Sequence, residues 1–234
     1  MRGEKVRAKA ILFDLDGTIF DVAERYLFAR YEALCQLGYD VSLNEVRRRY
    51  RYGIGRMGIV KDLGITLSKK DTIEYLKARS ASFTKRENAL KLTRIHKGAY
   101  DVLFSLSDKY RLVLVTSRGP LSSTEEELDW FKIRRFFSLT VTREVAAKYH
   151  GVEDIPLFPF REQRKKLYEC VTGLTKIGPE DMLFIGDSVG ELEPAKELRI
   201  RTIGVLTGIG SREEMESASI FTIRDISQLV EILG

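Results

Sequence analysis

The chain of 234 residues is long enough for one large α/β domain, or for a core domain that carries a smaller inserted one. Its 39 basic and 34 acidic residues nearly balance, so the net charge of +5 does not indicate a polyanion-binding face, and no nucleic-acid partner is expected. No apolar run approaches the roughly 20 residues of a membrane span, and the two cysteines lie in helix-like stretches, so we expect a cytoplasmic protein with free thiols and no membrane partner.

The first predicted element is a buried strand that ends on two acidic residues. Residues 10–13 are apolar on both faces, which is typical of a central strand in a parallel sheet. Asp14 and Asp16 follow at a spacing that points both side chains the same way, and Gly17 ends the strand. Ligands of open parallel sheets bind beyond the carboxyl ends of the strands, so the two carboxylates are candidate catalytic groups. The alternative is an ordinary turn at Asp-Gly.

A helical region follows this strand. Between residues 21 and 94 the hydrophobic pattern has a helical period and no convincing buried strand. Three helices are predicted there, over residues 23–37, from the capping box at Ser42 to about Tyr50, and over residues 68–83. The glycines around Arg56 favour either a guanidinium held over a substrate anion or a plain turn with an exposed arginine. We expect residues 21–94 to form a helical domain inserted into a core domain of residues 1–20 and 95–234.

The core pattern resumes after the insertion. A helix over residues 96–110 precedes a buried strand over residues 112–115. This strand ends on a polar run, Thr116, Ser117 and Arg118. A hydroxyl at a strand end, followed by glycine and a helix start, suits an oxyanion because the first N–H groups of a helix are unpaired. The capping box at Ser123 predicts the start of that helix.

The last part of the chain repeats the alternation of strands and helices. Strands are predicted over residues 137–141, 182–185 and 202–206, and helices over residues 161–174, 211–218 and 225–233. The strand over residues 182–185 runs into Gly186 and Asp187, a third acidic group at a strand end, and Glu191 follows on the next helix. The layout predicts an α/β fold with a Rossmann-like parallel-sheet core domain and an inserted α-helical domain.

Three segments, in this order, resemble motifs of the haloacid dehalogenase superfamily of phosphohydrolases. They are Asp14-Leu-Asp16-Gly-Thr18, Leu112-Val-Leu-Val-Thr116 and Gly186-Asp-Ser-Val-Gly-Glu191. The position of the helical insertion resembles the α-helical cap subclass, close to phosphoglycolate phosphatase-like members. The resemblance covers nearly the whole chain and implies a lid over small phosphorylated metabolites.

The resemblance implies a role for each acidic residue. Asp14 would attack phosphorus to form an aspartyl-phosphate, and Asp16 would protonate the leaving alcohol and later activate water. A carboxylate with a pKa of about 4 is ionised at neutral pH and can make this attack. Mg²⁺ would contact Asp14, the backbone carbonyl of Asp16 and Asp187. Glu191 stands where Asp is commoner in the family, and its longer arm would reach a metal-bound water.

The phosphate-binding residues implied by the resemblance include one departure from the family pattern. The candidates are Thr116, Ser117 and Arg118 from the second motif, Arg56 from the helical insertion, and a lysine that precedes the fourth motif. That lysine lacks its usual Pro or Gly neighbour here. Counting back from Asp187 leads to residues 162–166, where Lys165 is the choice. Arg164, Lys166 and the more distant Lys148 are the alternatives.

The leading prediction is a magnesium-dependent phosphatase that hydrolyses a small phosphate monoester through an aspartyl-phosphate. A phosphomutase would use the same motifs and differ in whether water reaches the phosphoenzyme. A haloacid dehalogenase is less favoured because those enzymes lack an Asp at the position of Asp16. A non-catalytic binding protein is disfavoured because all four of the main motif residues are present, Asp14, Asp16, Thr116 and Asp187.

Overall fold

The computed structural model describes residues 8–50, 54–55, 57–155 and 159–233. The chain forms two compact units, and parallel strands lie at the centre of the larger one. The strands, numbered along the chain, are β1 (Ala10–Phe13), β2 (Phe20–Asp21), β3 (Arg94–Ile95), β4 (Arg111–Val115), β5 (Leu139–Val141), β6 (Met182–Gly186), β7 (Arg201–Val205) and β8 (Phe221–Ile223). Six of them form one sheet in the order β5-β4-β1-β6-β7-β8, and β2 and β3 form a separate two-stranded sheet. All pairings within the six-stranded sheet are parallel.

The helices surround this sheet or form the second unit. They are α1 (Ala23–Gln36), α2 (Leu43–Arg49), α3 (Gly58–Asp62), α4 (Lys69–Thr84), α5 (Arg86–Leu92), α6 (Ala99–Ser107), α7 (Leu121–Trp130), α8 (Arg143–His150), α9 (Phe160–Thr175), α10 (Val189–Glu197), α11 (Arg212–Ala218) and α12 (Leu229–Leu233). The larger unit comprises Met1–Asp21 and Ile95–Gly234, and the second unit comprises Val22–Arg94. The predicted α/β class with a Rossmann-like parallel sheet is confirmed.

Strand β1 lies in the middle of the sheet because its side chains can be buried on both faces. All four of its residues are fully buried, and Leu12 is in register with Val113 of β4 and Phe184 of β6. Helices α9 and α10 pack on one face, where Leu167 and Leu192 join this core. Each fully buried side chain of this size contributes about 1.5–3 kcal/mol. The packing fixes the strand ends, and therefore the residues that follow them.

The second unit has its own apolar core. It forms around α1 and α4, with Leu34, Val46, Ile59 and Tyr75 fully buried. Ser42 accepts a hydrogen bond from the N–H of Glu45 and so caps α2, as its sequence pattern predicts. Because the unit buries its own apolar surface, it is a compact body in its own right.

Some predicted boundaries were wrong. Helix α7 begins at Leu121, with Pro120 as its N-cap, so Ser123 lies inside the helix and does not cap it. The sequence patterns also missed the last strand, β8, and the helix α8. Strand β8 has only three residues, and one of them, Phe221, is exposed, so it carries little of the hydrophobic pattern of a buried strand.

Among the described residues, no helix is both long enough and apolar enough to span a membrane.

Candidate active site

The polar residues of the first, second and fourth motifs meet at one edge of the sheet. Strands β1, β4 and β6 are parallel neighbours, and Asp14, Thr116 and Asp187 directly follow their last residues. Sheet hydrogen bonding continues into these positions, because the N–H of Asp14 donates to the Ile185 carbonyl at 2.9 Å. The three side chains are almost fully buried. Their convergence follows directly from the parallel topology.

Three carboxylates form a buried cluster at this edge. Oxygen atoms of Asp14, Asp187 and Glu191 all lie within 4.8 Å of one another. Glu191 reaches the cluster from the first turn of α10. The side chain of Asp16 lies outside this group of three and is held elsewhere, as described below.

Burial and mutual repulsion make these carboxyl groups hard to ionise. Burial, followed by the charge of Asp14, raises the pKa of Asp187 to about 8. Burial raises the pKa of Glu191 to about 7, although the Arg164 guanidinium opposes the shift. Burial and the charge of Glu191 raise the pKa of Asp14 well above its ordinary value. Burial therefore opposes the ionisation of Asp14 on which its predicted role as nucleophile depends.

Arg164 of α9 is the cation of this cluster. Its Nη2 atom lies 2.9 Å from Asp14 Oδ1 and 2.6 Å from Glu191 Oε1, and its Nη1 donates to Ser117 Oγ at 3.0 Å. The side chain is completely buried. A guanidinium in this position bridges two carboxylates that would otherwise repel each other.

Aromatic rings surround the Arg164 guanidinium. Its central carbon lies 5.7–5.8 Å from the ring centres of Phe160, Tyr168 and Phe184. The Tyr168 hydroxyl donates to the backbone carbonyl of Glu191 at 3.0 Å. These rings exclude water and attract the cation. They therefore favour the position of the guanidinium between the carboxylates.

Lys165 does not reach this cluster, so the choice of Lys165 as the phosphate-binding lysine was wrong. Its ammonium lies 2.8 Å from Glu197 and 3.5 Å from Glu162, in a partly exposed ion-pair network. The reason is helical phase, because neighbouring residues of an α-helix point about 100° apart. Lys148 is exposed on α8, and Lys166 is half-buried. Of the four basic candidates, Arg164 alone is the one that contacts Asp14.

Arg118 was predicted to bind phosphate, but its side chain is engaged by other groups. Its guanidinium pairs with two carboxylates, Asp16 and Glu127, at 2.6 Å each. Its backbone N–H donates to Thr116 Oγ1 at 3.3 Å. An arginine that already pairs with Asp16 and with the buried Glu127 is not placed as a phosphate ligand. The remaining candidate, Arg56, lies outside the described residues.

A glycine-rich loop after β7 holds Asp187, and the sequence patterns missed it. The N–H of Ile209 donates to Asp187 Oδ2 at 3.0 Å, and the N–H of Gly210 donates to the Asp187 carbonyl at 2.9 Å. A Cβ atom at Gly208 or at Gly17 would overlap the Asp187 carboxylate. The glycines let the backbone approach this side chain closely. The spacing Gly208-Ile-Gly210 after a strand was the available signal.

The cluster has the properties that a hard divalent cation requires. Its donors are all carboxylate oxygens, which Mg²⁺ prefers. Three ionised carboxylates against the Arg164 guanidinium would leave a charge of −2 in a buried space. Within the part of the chain that the structure describes, Glu191 Oε2 is buried and accepts no hydrogen bond. An acceptor in this condition normally carries a cost of about 1–3 kcal/mol, which a bound cation would remove.

Comparisons with known proteins agree with this geometry. A family model described as haloacid dehalogenase-like hydrolase matches residues 11–205. The chain is 25% identical to a glyceraldehyde 3-phosphate phosphatase of Methanocaldococcus jannaschii, over 96% of each chain. It is 23% identical to a phosphoglycolate phosphatase of Vibrio parahaemolyticus, over 97% of this chain and 96% of the other.

Solved structures show the same fold. A haloacid dehalogenase-like family protein from Streptococcus pneumoniae superposes with a TM-score of 0.75 at 17% identity, over 97% of this chain and 99% of the other. At this identity the similarity concerns the fold. The family resemblance drawn from the three motifs is confirmed.

Proposed function

Because this chain belongs to the haloacid dehalogenase-like hydrolase family, we propose that it is a magnesium-dependent phosphatase of small phosphate monoesters. The observation that carries the proposal is the meeting of Asp14, Asp187, Glu191 and Arg164 at the carboxyl edge of the sheet. Acidic oxygens for a cation and a buried guanidinium for an oxyanion are the two components that phosphoryl transfer needs.

Three side chains would hold the ion. Asp14 and Asp187 present oxygens at the strand ends, and Glu191 approaches from α10 with one oxygen that accepts no hydrogen bond from any described residue. When bound, Mg²⁺ supplies positive charge that offsets the repulsion between the carboxylates and the substrate phosphate. The raised pKa of Asp14 makes such a charge necessary, because only an ionised carboxylate is a nucleophile.

Asp14 and Asp16 would carry out two displacements at phosphorus. In the first, a carboxylate oxygen of Asp14 forms a bond to phosphorus, the ester P–O bond breaks, and Asp16 gives its proton to the departing alkoxide. In the second, water attacks phosphorus, Asp16 accepts a proton from that water, and the bond to Asp14 breaks to release phosphate. Asp16 ends each cycle in its starting state, so the proton balance closes.

Arg164 would take the part that a lysine plays in the family pattern. Its contacts with Asp14 and Ser117 place positive charge where phosphoryl oxygens would lie beside the nucleophile. A fixed, fully buried guanidinium does not reorganise during the reaction, and this is the condition for strong electrostatic stabilisation. Thr116, at the end of β4, would add a hydroxyl to the same oxyanion.

The substrate would be a small phosphorylated metabolite. Two similar proteins are named for phosphoglycolate and for glyceraldehyde 3-phosphate, both of which are small phosphate esters. The helical unit would act as the cap that selects among such substrates, and Arg56 would contribute to that selection.

The test is release of inorganic phosphate from a panel of phosphorylated metabolites with Mg²⁺. We expect wild-type protein to release phosphate from at least one ester, and Asp14→Asn to abolish this turnover. The matched control is Asp181→Asn, a surface aspartate that pairs with Lys9 and should retain full activity. Transfer of the phosphoryl group within the substrate, with no free phosphate, would indicate a phosphomutase. Undiminished phosphatase activity in Asp14→Asn would contradict the proposal.

A further inference from the structure

Arg118 holds the side chain of Asp16 through two bonds. Nε of Arg118 donates to Asp16 Oδ2 at 3.0 Å, and Nη2 donates to Asp16 Oδ1 at 2.6 Å. The side chains are 8% and 14% exposed, so water screens the pair weakly. A paired arrangement of this kind fixes the plane of the carboxylate as well as its position.

The guanidinium is itself anchored from a second side. Glu127 of α7, which is buried, accepts from Nη1 of Arg118 at 2.6 Å. The ring of Phe20 lies 5.9 Å from the guanidinium carbon. The backbone of Arg118 follows β4 closely and donates to Thr116. Contacts with Thr116 at the end of β4 and with Glu127 of α7 therefore hold Arg118 in place independently of Asp16.

We propose that Arg118 is a positioning residue for acid–base catalysis, because it holds the Asp16 carboxyl group in the orientation that proton transfer to the leaving alcohol requires. The inference rests on the proposed phosphatase function. A carboxylate has about four lone-pair sites, and Arg118 uses one on each oxygen, so a site remains for the transferred proton. Without the two bonds, the Asp16 side chain would rotate among rotamers that do not face the substrate.

Leaving-group chemistry separates this role from phosphate binding. An alkyl phosphate releases a strongly basic alkoxide that must be protonated as it departs, whereas 4-nitrophenyl phosphate releases a stabilised phenolate that needs little protonation. A residue that acts through Asp16 should therefore matter far more for the alkyl ester. A residue that binds phosphate, or one that only maintains the fold, should affect both esters equally.

The experiment compares kcat/KM for glycerol phosphate, or the best alkyl ester of the metabolite panel, with kcat/KM for 4-nitrophenyl phosphate. Arg118→Lys keeps the charge but loses the two-pronged geometry. The double variant Arg118→Met with Glu127→Gln removes the arginine without leaving the buried Glu127 carboxylate unpaired, and thermal melting checks that the variant folds. Arg111→Met is the matched control, because Arg111 lies at the opposite end of the same strand and is exposed. Asp16→Asn provides the reference profile.

We expect both Arg118 variants to lose roughly 30-fold or more on the alkyl ester and only a fewfold on the aryl ester, the same selective loss as Asp16→Asn. Arg111→Met should behave as wild type on both. Equal losses on the two esters in the Arg118 variants, alongside a selective loss in Asp16→Asn, would overturn the inference and leave the phosphatase proposal intact. A wild-type protein inactive on every ester would refute the phosphatase proposal first, and the inference with it.

Discussion

Arg164 shows how much one residue contributes to the charge balance of the site. It is the buried cation that contacts both Asp14 and Glu191, whose carboxylates would otherwise repel each other. Three aromatic rings lie beside its guanidinium group. The same guanidinium is placed to meet the oxyanion of a substrate, so its removal should affect catalysis more than any surface lysine does.

Replacing Arg164 with Met is expected to lower kcat/KM by about 100-fold or more, since a charge-assisted contact to the transferring phosphoryl group is lost. Arg164→Lys should recover part of this loss, because the charge returns without the planar fork. Steady-state phosphate release measures both effects, and thermal melting shows whether each variant is folded.

The control is the neighbouring residue on the same helix. Lys165→Met breaks only partly exposed pairs with Glu162 and Glu197, so activity close to wild type is expected. A large loss in Lys165→Met with a mild effect of Arg164→Met would reverse the assignment.

The helical phase of residues 161–174 indicates Arg164, whereas the spacing from Asp187 indicates only the range 162–166. The hydrophobic pattern of this helix predicts a buried stripe of Leu167, Cys170, Val171 and Leu174; the first three are buried, and Leu174, at the end of the helix, is exposed. Arg164 lies three residues before Leu167 and seven before Val171, which places it on the same stripe. Lys165 does not lie on this stripe. The spacing from Asp187 correctly predicts the turn of α9 that carries the basic residue, and helical phase identifies Arg164 as the residue on that turn that faces the core. The pairing of Arg118 with Asp16 carried no comparable local signal, because the partners are distant in the chain.

At the level of elements, the start of α7 shows why local capping rules can fail. The capping box at Ser123 predicted an N-cap three residues later than the observed one, Pro120. Pro120 presets the backbone at the N-cap, and the first N–H group, that of Leu121, is satisfied by Glu144 of α8 at 2.8 Å. This cap comes from another helix, so no pattern within residues 118–130 contains it. The buried strands were predicted more reliably because their apolar runs are local.

The loop after β7 provides a prediction at the same level. Gly208→Ala would place a methyl group against Asp187, and the overlap should cost about 1–3 kcal/mol. A change of 1 kcal/mol lowers Tm by roughly 2–4 °C in a chain of this size. We also expect a higher Mg²⁺ concentration for half-maximal activity, because Asp187 must shift. Thermal melting and Mg²⁺ titration measure these effects.

Gly55→Ala is the matched control for this substitution. A Cβ atom at Gly55 would meet no atom of the described residues within 4 Å, so neither Tm nor the Mg²⁺ requirement should change. If Gly208→Ala also left both quantities at their wild-type values, the loop would not be what positions Asp187.

For the whole molecule, the acidic cluster links stability to pH and to metal. The pKa values of Asp187 and Glu191 are raised to about 8 and about 7, so the folded state holds protons that the unfolded state has already lost above pH 4. Stability of the metal-free protein should therefore fall as pH rises from about 4 to about 8. Mg²⁺ binds the ionised groups, so its stabilising effect should grow over the same interval.

Melting curves between pH 5.5 and 8.5, with a chelator or with Mg²⁺, measure both trends. We expect Asp187→Asn to raise the metal-free Tm at pH 8 and to remove most of the Mg²⁺ effect, because the costly charge is gone. Asp181→Asn, on the surface, should leave both trends in place. A metal-free Tm that climbs steadily with pH, or a Mg²⁺ effect that persists in Asp187→Asn, would contradict this account of the cluster.

Covalent catalysis at Asp14 can be tested most directly by trapping the acyl phosphate. Enzyme turning over its best substrate with Mg²⁺ is quenched and treated with borohydride, which reduces an aspartyl-phosphate to homoserine, and the peptide that contains residue 14 is analysed by mass spectrometry. We predict homoserine at position 14, at a level that follows substrate saturation, and unmodified aspartate at positions 16 and 187. Rapid turnover with homoserine at another position, or at none, would contradict nucleophilic attack by Asp14.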